Sequence, residues 1–309
     1  MSLKNVINIQ SINQEINTIF FDNYVFMSDS KGIVWIASYP KSGNTWIRSI
    51  ITSMLYTKDG NFNFELIKKI DQFETLNNFN FLKKQKLDHF EQLNKMNIVS
   101  QYWLEAQKRL IDKNKILFFK THSANYEYDN LVFANNETTK GYIYVIRDPR
   151  DIIISYSKFL GISVDEMAEI ITLRENKIYG PSKKIGVFLT RWDYHVASWV
   201  RVNKPKLILR YEDMLLNPRQ LVLQIARYLT EDLNVKFNID ENKINNIVHT
   251  TSFLKLKRDE EKLGFFESSK NSVFFRSGKK NQWQDILTKK QLLFIEENFK
   301  QYMTTYKYI

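Results

Sequence analysis

Residues 33–38, 115–120, 141–147 and 206–211 are four short runs dense in apolar side chains. A strand with one wet face alternates apolar and polar positions, whereas a run without alternation suits a strand covered on both faces, as in a parallel sheet. Helical spacing fills the intervals. Across residues 45–56, Trp46, Ile47, Ile50, Ile51, Met54 and Leu55 fall on one helical face, with Asn44 or Thr45 as the candidate cap. Residues 189–202 read as an amphipathic helix, and Asn217-Pro218 opens another over 218–229 through Leu221, Ile225 and Leu229. Polar-rich helical patterns at 64–111 and 164–176 form a covering layer, the first being long enough for several helices. No Gly, Ser or Pro-rich linker and no repeat divides the chain, so the pattern predicts a single α/β domain over 1–309.

Composition changes this picture in few places. With 43% hydrophobic residues the chain can fill a core, and 45 Lys and Arg against 34 Asp and Glu leave a net charge of +11. Such a surplus favours nucleotides, sulfated products, nucleic acid or an acidic membrane surface without choosing among them. Part of it follows a general bias toward Asn, Ile and Lys. Having no cysteine, the chain forms no disulfide and offers no thiolate ligand, and His89, His122, His195 and His249 lack zinc-ligand spacing, so no metal is expected. No stretch reaches the roughly 18 to 20 apolar residues of a membrane span, which leaves peripheral membrane contact open. The N-terminus lacks the charged head and apolar run of a secretory signal, and the expected location is cytoplasmic.

The chemistry concentrates where strands end. In W-I-A-S-Y-P-K-S-G-N-T-W, Pro40 stops the first strand, Gly43 permits close backbone approach, and Asn44-Thr45-Trp46 opens a helix. A helix N-terminus presents free N–H groups and the positive end of the dipole, a seat for phosphate or sulfate. Lys41 adds a charge, and Ser42, Asn44 and Thr45 add donors. The lysine precedes the single glycine, so this is not a Walker A loop. Arg147, at the end of the strand 141–147, offers a planar fork, and Ser155 on the helix 152–159 can reach the same anion. His122 ends the strand 115–120 at the edge where an open α/β sheet binds ligands, with a side chain suited to take a proton near neutrality. His195 and His249 compete for that role but lie in helical or helix-end patterns, where packing or capping is the ordinary use.

Together these segments resemble the PAPS-dependent sulfotransferase family, where PAPS is 3′-phosphoadenosine 5′-phosphosulfate. Y-P-K-S-G-N-T-W is similar to its 5′-phosphosulfate loop, with Asn44 in place of the usual Thr; R-D-P-R-D-I-I-I-S is similar to its 3′-phosphate motif; and K-T-H at 120–122 is similar to its catalytic element. Further matches are Tyr211-Glu212-Asp213, Thr251-Ser252-Phe253, and residues 276–283, where Arg276, Gly278 and Trp283 fit a closing loop. In that loop Ser277 replaces a usual Lys and Asn281 a second Gly, leaving Lys279 and Lys280 as neighbouring cations. The resemblance, over core motifs 32–283, implies a P-loop NTPase-like α/β fold and sulfuryl transfer from PAPS to a hydroxyl or amine, with PAP as product and no metal required.

By the same resemblance, His122 is the base, Lys41 and Lys120 stabilise developing charge, and Ser155 restrains Lys41. Ser42, Gly43, Asn44, Thr45, Trp46, Arg147, Tyr211, Thr251, Ser252, Phe253, Arg276, Ser277 and Gly278 hold the nucleotide, with Trp46 and Tyr211 near the adenine. The acceptor side falls to the helical segment at about 60–113 and the tract 159–186, for a small-molecule or lipid-linked acceptor. Oligomeric state is left open. The competing classes are a P-loop kinase-like phosphotransferase, which would want a Walker A loop and a metal-binding acid, and a basic nucleic-acid-binding protein, for which no motif is present.

Overall fold

The computed structural model describes residues 31–85, 90–111, 115–178, 185–269 and 272–309. The N-terminal segment and His89 lie outside them. Four parallel strands, β1 (Gly32–Ser38), β2 (Ile116–Thr121), β3 (Thr139–Ile146) and β4 (Lys206–Arg210), lie in the order β2-β1-β3-β4. The dense apolar runs therefore mark the sheet to within a few residues. β1 is buried along its whole length, while β4, at the edge, is partly exposed.

Strand side chains alternate between two apolar layers. On one face Val34, Ile36, Ile143 and Val145 pack with α1 (Asn44–Tyr56), α4 (Pro218–Arg227) and α5 (Glu241–Thr250). On the other, Trp35, Tyr142 and Tyr144 meet Phe73, Phe133 and Trp103, α3 (Trp192–Val200), and α7 (Lys289–Thr305) through Phe299. Between these helices in sequence run α2 (Pro149–Leu160) and α6 (Phe253–Leu263). Among the described residues, no helix is long and apolar enough to cross a membrane.

Several local expectations shift. α1 begins at Asn44 with Gly43 as its cap residue, in the left-handed region at φ 105°, because the Asn44 side chain turns inward to β1. α3 is shorter than the pattern 189–202 and buried on most sides, being clasped between the sheet and α7. α4 ends at Arg227 and widens into a π turn, Tyr228–Asp232, which lets the Tyr228 hydroxyl reach the carbonyls of Tyr142 and Pro205. The segment 64–111 breaks into short helical pieces whose Phe73, Phe79, Leu82, Leu93, Val99 and Trp103 enter the core. Their apolar spacing is satisfied by packing, not by a ligand wall.

Parallel strands bring all their C-terminal ends to one edge. The residues that follow β1, β2, β3 and β4 there are the loop from Tyr39, then His122, Arg147 and Tyr211. The strand order reverses between β1 and β3, the crevice where open α/β sheets bind ligands.

Trp35 anchors this arrangement: its ring meets Phe73, Phe119, Phe133 and Trp199, and its Nε1–H donates to Thr139 Oγ1 at 3.2 Å. Trp35→Ala is expected to cost about 4 kcal/mol through lost packing and the cavity left behind. Urea unfolding would read this as a lower midpoint at unchanged slope.

Candidate active site

The loop after β1 is wound tightly. Lys41 sits at φ 64° and Gly43 at φ 105°, both left-handed, and a Cβ on Gly43 would stand 2.9 Å from the Tyr211 ring. Glycine is therefore required there both by its backbone angle and by the ring beneath it. Behind the loop Asn44 Nδ2 donates to Ile36 O at 2.9 Å and Ser38 Oγ at 3.3 Å, so its side-chain donors face β1 and only its main chain is left for an anion. Ser42 is buried with no partner for its hydroxyl.

Arg147 spans the crevice. One guanidinium nitrogen donates to Lys41 O at 2.8 Å, another to Lys279 O at 3.1 Å, and the group lies 4.3 Å over the Tyr211 ring, which Trp46 meets edge-on. Arg147 thus ties the first loop to the segment carrying Arg276, Ser277 and Gly278. Gly278, at φ 61°, has the Phe253 ring against it, where any Cβ would stand only 2.4 Å from Phe253. Burial foremost, then Arg147, lowers the Arg276 pKa.

One cavity of about 460 Å³ is lined by Lys41, Gly43, Asn44, Thr45, Trp46, Lys120, His122, Arg147, Ser155, Tyr211, Thr251, Phe253, Arg276, Ser277 and Gly278. Residues spread over most of the chain are thereby brought together. Two expected members stand apart from that lining: Ser42, and Ser252, whose hydroxyl donates to His249 O. Thr251 borders the cavity, but its hydroxyl donates back to Ile247 O at 2.7 Å. Lys279 and Lys280 are exposed outside this cavity, so neither stands where a lysine at 277 would.

His122 has its tautomer set by geometry. Its Nδ1 lies 2.7 Å from Ser38 O, and since a carbonyl only accepts, Nδ1 carries the proton and Nε2 the lone pair. Burial, then the Lys120 ammonium, lowers its pKa to about 3. His195 is wholly buried: it donates from Nε2 to His122 O at 3.0 Å and accepts from the Tyr144 hydroxyl at 2.8 Å. This packing role removes it from competition as a base. His249 is exposed at the end of α5.

Lys41 Nζ lies 4.2 Å from the ring centres of both Phe159 and Phe274. Burial above all, then Arg147, lowers its pKa to about 8, with Glu267 acting the other way. Glu267 is the main feature the motifs do not reveal. It accepts from Arg48 at 2.7 Å, Lys120 at 3.0 Å and Thr45 Oγ1 at 3.0 Å. Burial pushes its carboxyl up, but Lys120 and Arg48 outweigh this and hold it well below the usual carboxylate range.

The remaining wall is apolar: Tyr156, Phe159, Leu160, Ile185, Val187 and Phe266 among others. The tract 159–186 contributes to it as expected. From the segment 64–111, among the described residues, only Gln72 borders the cavity, while Phe73, Phe79, Leu82, Leu93, Val99 and Trp103 are buried in the core.

Residues 31–307 match a family profile described as "Sulfotransferase domain". The chain is 26% identical to a luciferin sulfotransferase of Photinus pyralis, over 85% of this chain and 69% of that one. It is 24% identical to a flavonol 3-sulfotransferase of Flaveria bidentis, over 85% and 79%. A mouse sulfotransferase solved with PAP is similar in fold, with a TM-score of 0.55 and 19% identity over 88% of this chain and 84% of that one.

Because the His122 pKa falls from 6.5 to about 3, the unfolded chain binds more protons between those values. This contribution to stability is complete above about pH 6.5 and is lost as pH falls toward 3. The His122 imidazole resonances are expected to stay flat from about pH 8 to about 5, as NMR titration would detect.

Proposed function

We propose, from the premise that the chain belongs to the sulfotransferase domain family, that its cavity joins a PAPS site to an apolar acceptor site in the cytoplasm. The protein is a PAPS-dependent enzyme that transfers a sulfuryl group to an acceptor and releases PAP. The kinase-like alternative is not favoured. The observation that carries the division of labour is the convergence of the loop at 39–46, His122 and Arg147 on one cavity from three strand ends.

The residues suit a donor with two separated phosphates. At one end the first turn of α1 offers main-chain N–H groups and the helix dipole, with Thr45 and Lys120 beside it. At the other, Arg147 and Arg276 crowd like charges together in a partly buried place, an arrangement that an anion between them would relieve. The unpaired Ser42 hydroxyl and Arg147 Nε are further polar atoms near the crevice awaiting a partner. Trp46, Tyr211 and Phe253 supply aromatic faces suited to the adenine.

His122 Nε2, the unprotonated nitrogen, receives the acceptor's proton, and the low basicity of the free imidazole rises once negative charge develops beside it. Lys41 and Lys120 hold fixed positive charge against that development, and Ser155, on the same wall, positions Lys41. Lys41, at about 8, is mostly charged at neutral pH, and a bound anion strengthens that state. PAPS supplies the sulfuryl group when bound.

The acceptor is a small molecule that presents a hydroxyl or amine from an apolar or aromatic body. The aromatic and aliphatic wall from Tyr156 to Val187 supports this, as do relatives named for luciferin and flavonol.

Calorimetry with PAP is expected to give tight binding to the wild type and about 100-fold weaker binding to Arg147→Ala, the ~3 kcal/mol of lost charged hydrogen bonds. No heat from the wild type would remove the donor site. His122→Ala is expected to bind PAP normally and to lose transfer by about a hundredfold or more, in a sulfate-transfer assay with a phenolic acceptor.

A further inference from the structure

We propose that Glu267 is a further residue of the donor site, a carboxylate that holds Thr45 and Lys120 in the free enzyme and is exchanged for the donor's phosphosulfate group. This rests on the donor site proposed above. The contacts that lead to it are unusual in their origin. Thr45 belongs to the first turn of α1 and Lys120 to the end of β2, and both border the cavity; Glu267 reaches them from beyond α6. Its Oε2 accepts from Thr45 and its Oε1 from Lys120, while the side chain is only 11% exposed. A carboxylate thus already makes contacts suited to an anion at this helix N-terminus.

An ordinary structural ion pair would explain Arg48 but not the other two partners. Arg48 does not line the cavity and is held from behind by Ile70 O at 2.9 Å and Ile67 O at 3.2 Å, so it keeps these bonds whether or not Glu267 stays. Thr45 and Lys120 face the ligand space. A donor phosphate placed on them would lie against the Glu267 carboxylate, and two negative groups at that separation in a site of low dielectric repel strongly. The donor and the carboxylate therefore exclude one another on these two partners.

The segment carrying Glu267 is anchored in a way that permits exchange. Glu260, on α6, accepts from the Phe274 and Phe275 amides and from the Ser268 hydroxyl, holding the chain on the C-terminal side of Glu267. Gly264, which ends α6 at φ 71° and faces open space where a Cβ would stand, is where the chain turns from α6 toward Glu267 on the other side. Phe266, next to Glu267, is 56% exposed although it borders the cavity, its ring meeting Phe265 at 5.0 Å and the Lys68 ammonium at 5.8 Å. Exchange sets donor affinity below what the cradle alone would reach, and the free site is neutralised in the meantime.

The test is PAP titration of the full chain by calorimetry at low ionic strength, comparing wild type with Glu267→Gln, which keeps the shape and removes the charge. The variant is expected to bind PAP about tenfold tighter. Unchanged or weaker binding, with the wild type still binding, overturns the exchange alone and makes Glu267 a support for Lys120. No binding by either protein overturns the donor reading and the exchange with it. A measurement on the wild type needs no variant: on adding PAP, amide hydrogen exchange should quicken across residues 265–269 while residues 41–48 become protected. Protection of both segments overturns the proposal.

Discussion

Positive charges gathered in a place poor in water repel one another, and the C-terminal edge of this sheet gathers Lys41, Lys120, Arg147 and Arg276 around one crevice, with Arg48 behind it. Such a cluster persists only if the scaffold is rigid enough to hold it and anions are present to compensate it. The core supplies the rigidity. Two apolar layers grip β1 and β3 along their length, with Trp35 at the centre of an aromatic cluster, so the strand ends cannot spread to relieve the repulsion. Compensation comes from Glu267 for Arg48 and Lys120 and from the buried Asp151, 3.7 Å from Arg147.

The same constraint organises the chemistry. A buried imidazole with a cation beside it loses its proton easily, and His122 is accordingly neutral in the free site, with Ser38 O deciding which nitrogen bears hydrogen. His195 holds the carbonyl of His122 from the core side and is itself oriented by Tyr144 on β3. His122 is thus positioned through two neighbouring strands and a buried helix. Precise placement of this kind is how a site without strong acids or bases accelerates group transfer.

Legibility followed the range of each interaction. The four strand runs and the opening of α1 were readable because burial on both faces leaves an uninterrupted apolar stretch and a helix start carries local chemistry. The loop at 39–46, His122 and Arg147 share one cavity because each follows a strand end, where parallel strands converge, and Ser155 joins them from α2. In the segment 64–111 the described apolar side chains are largely taken up by the core, since helical apolar spacing reports that a face is covered, not whether core or ligand covers it. Asn44 misled as an anion donor because its nearest acceptor, Ile36 O, lies back along the preceding strand.

What the sequence by itself determined was the alternation of strands and helices, the tight turn at the start of α1, and which polar groups stand at the strand ends, since these rest on neighbours within a few positions. Only the tertiary structure decided how those groups are electrically balanced. Glu267 has no motif around it, and its partners Arg48, Lys120 and Thr45 are 219, 147 and 222 positions away. The tautomer of His122, the burial of His195 and the pairing of Glu267 all depend on contacts between distant segments. Electrostatic energy depends on separation in space, which the order of residues along the chain does not contain.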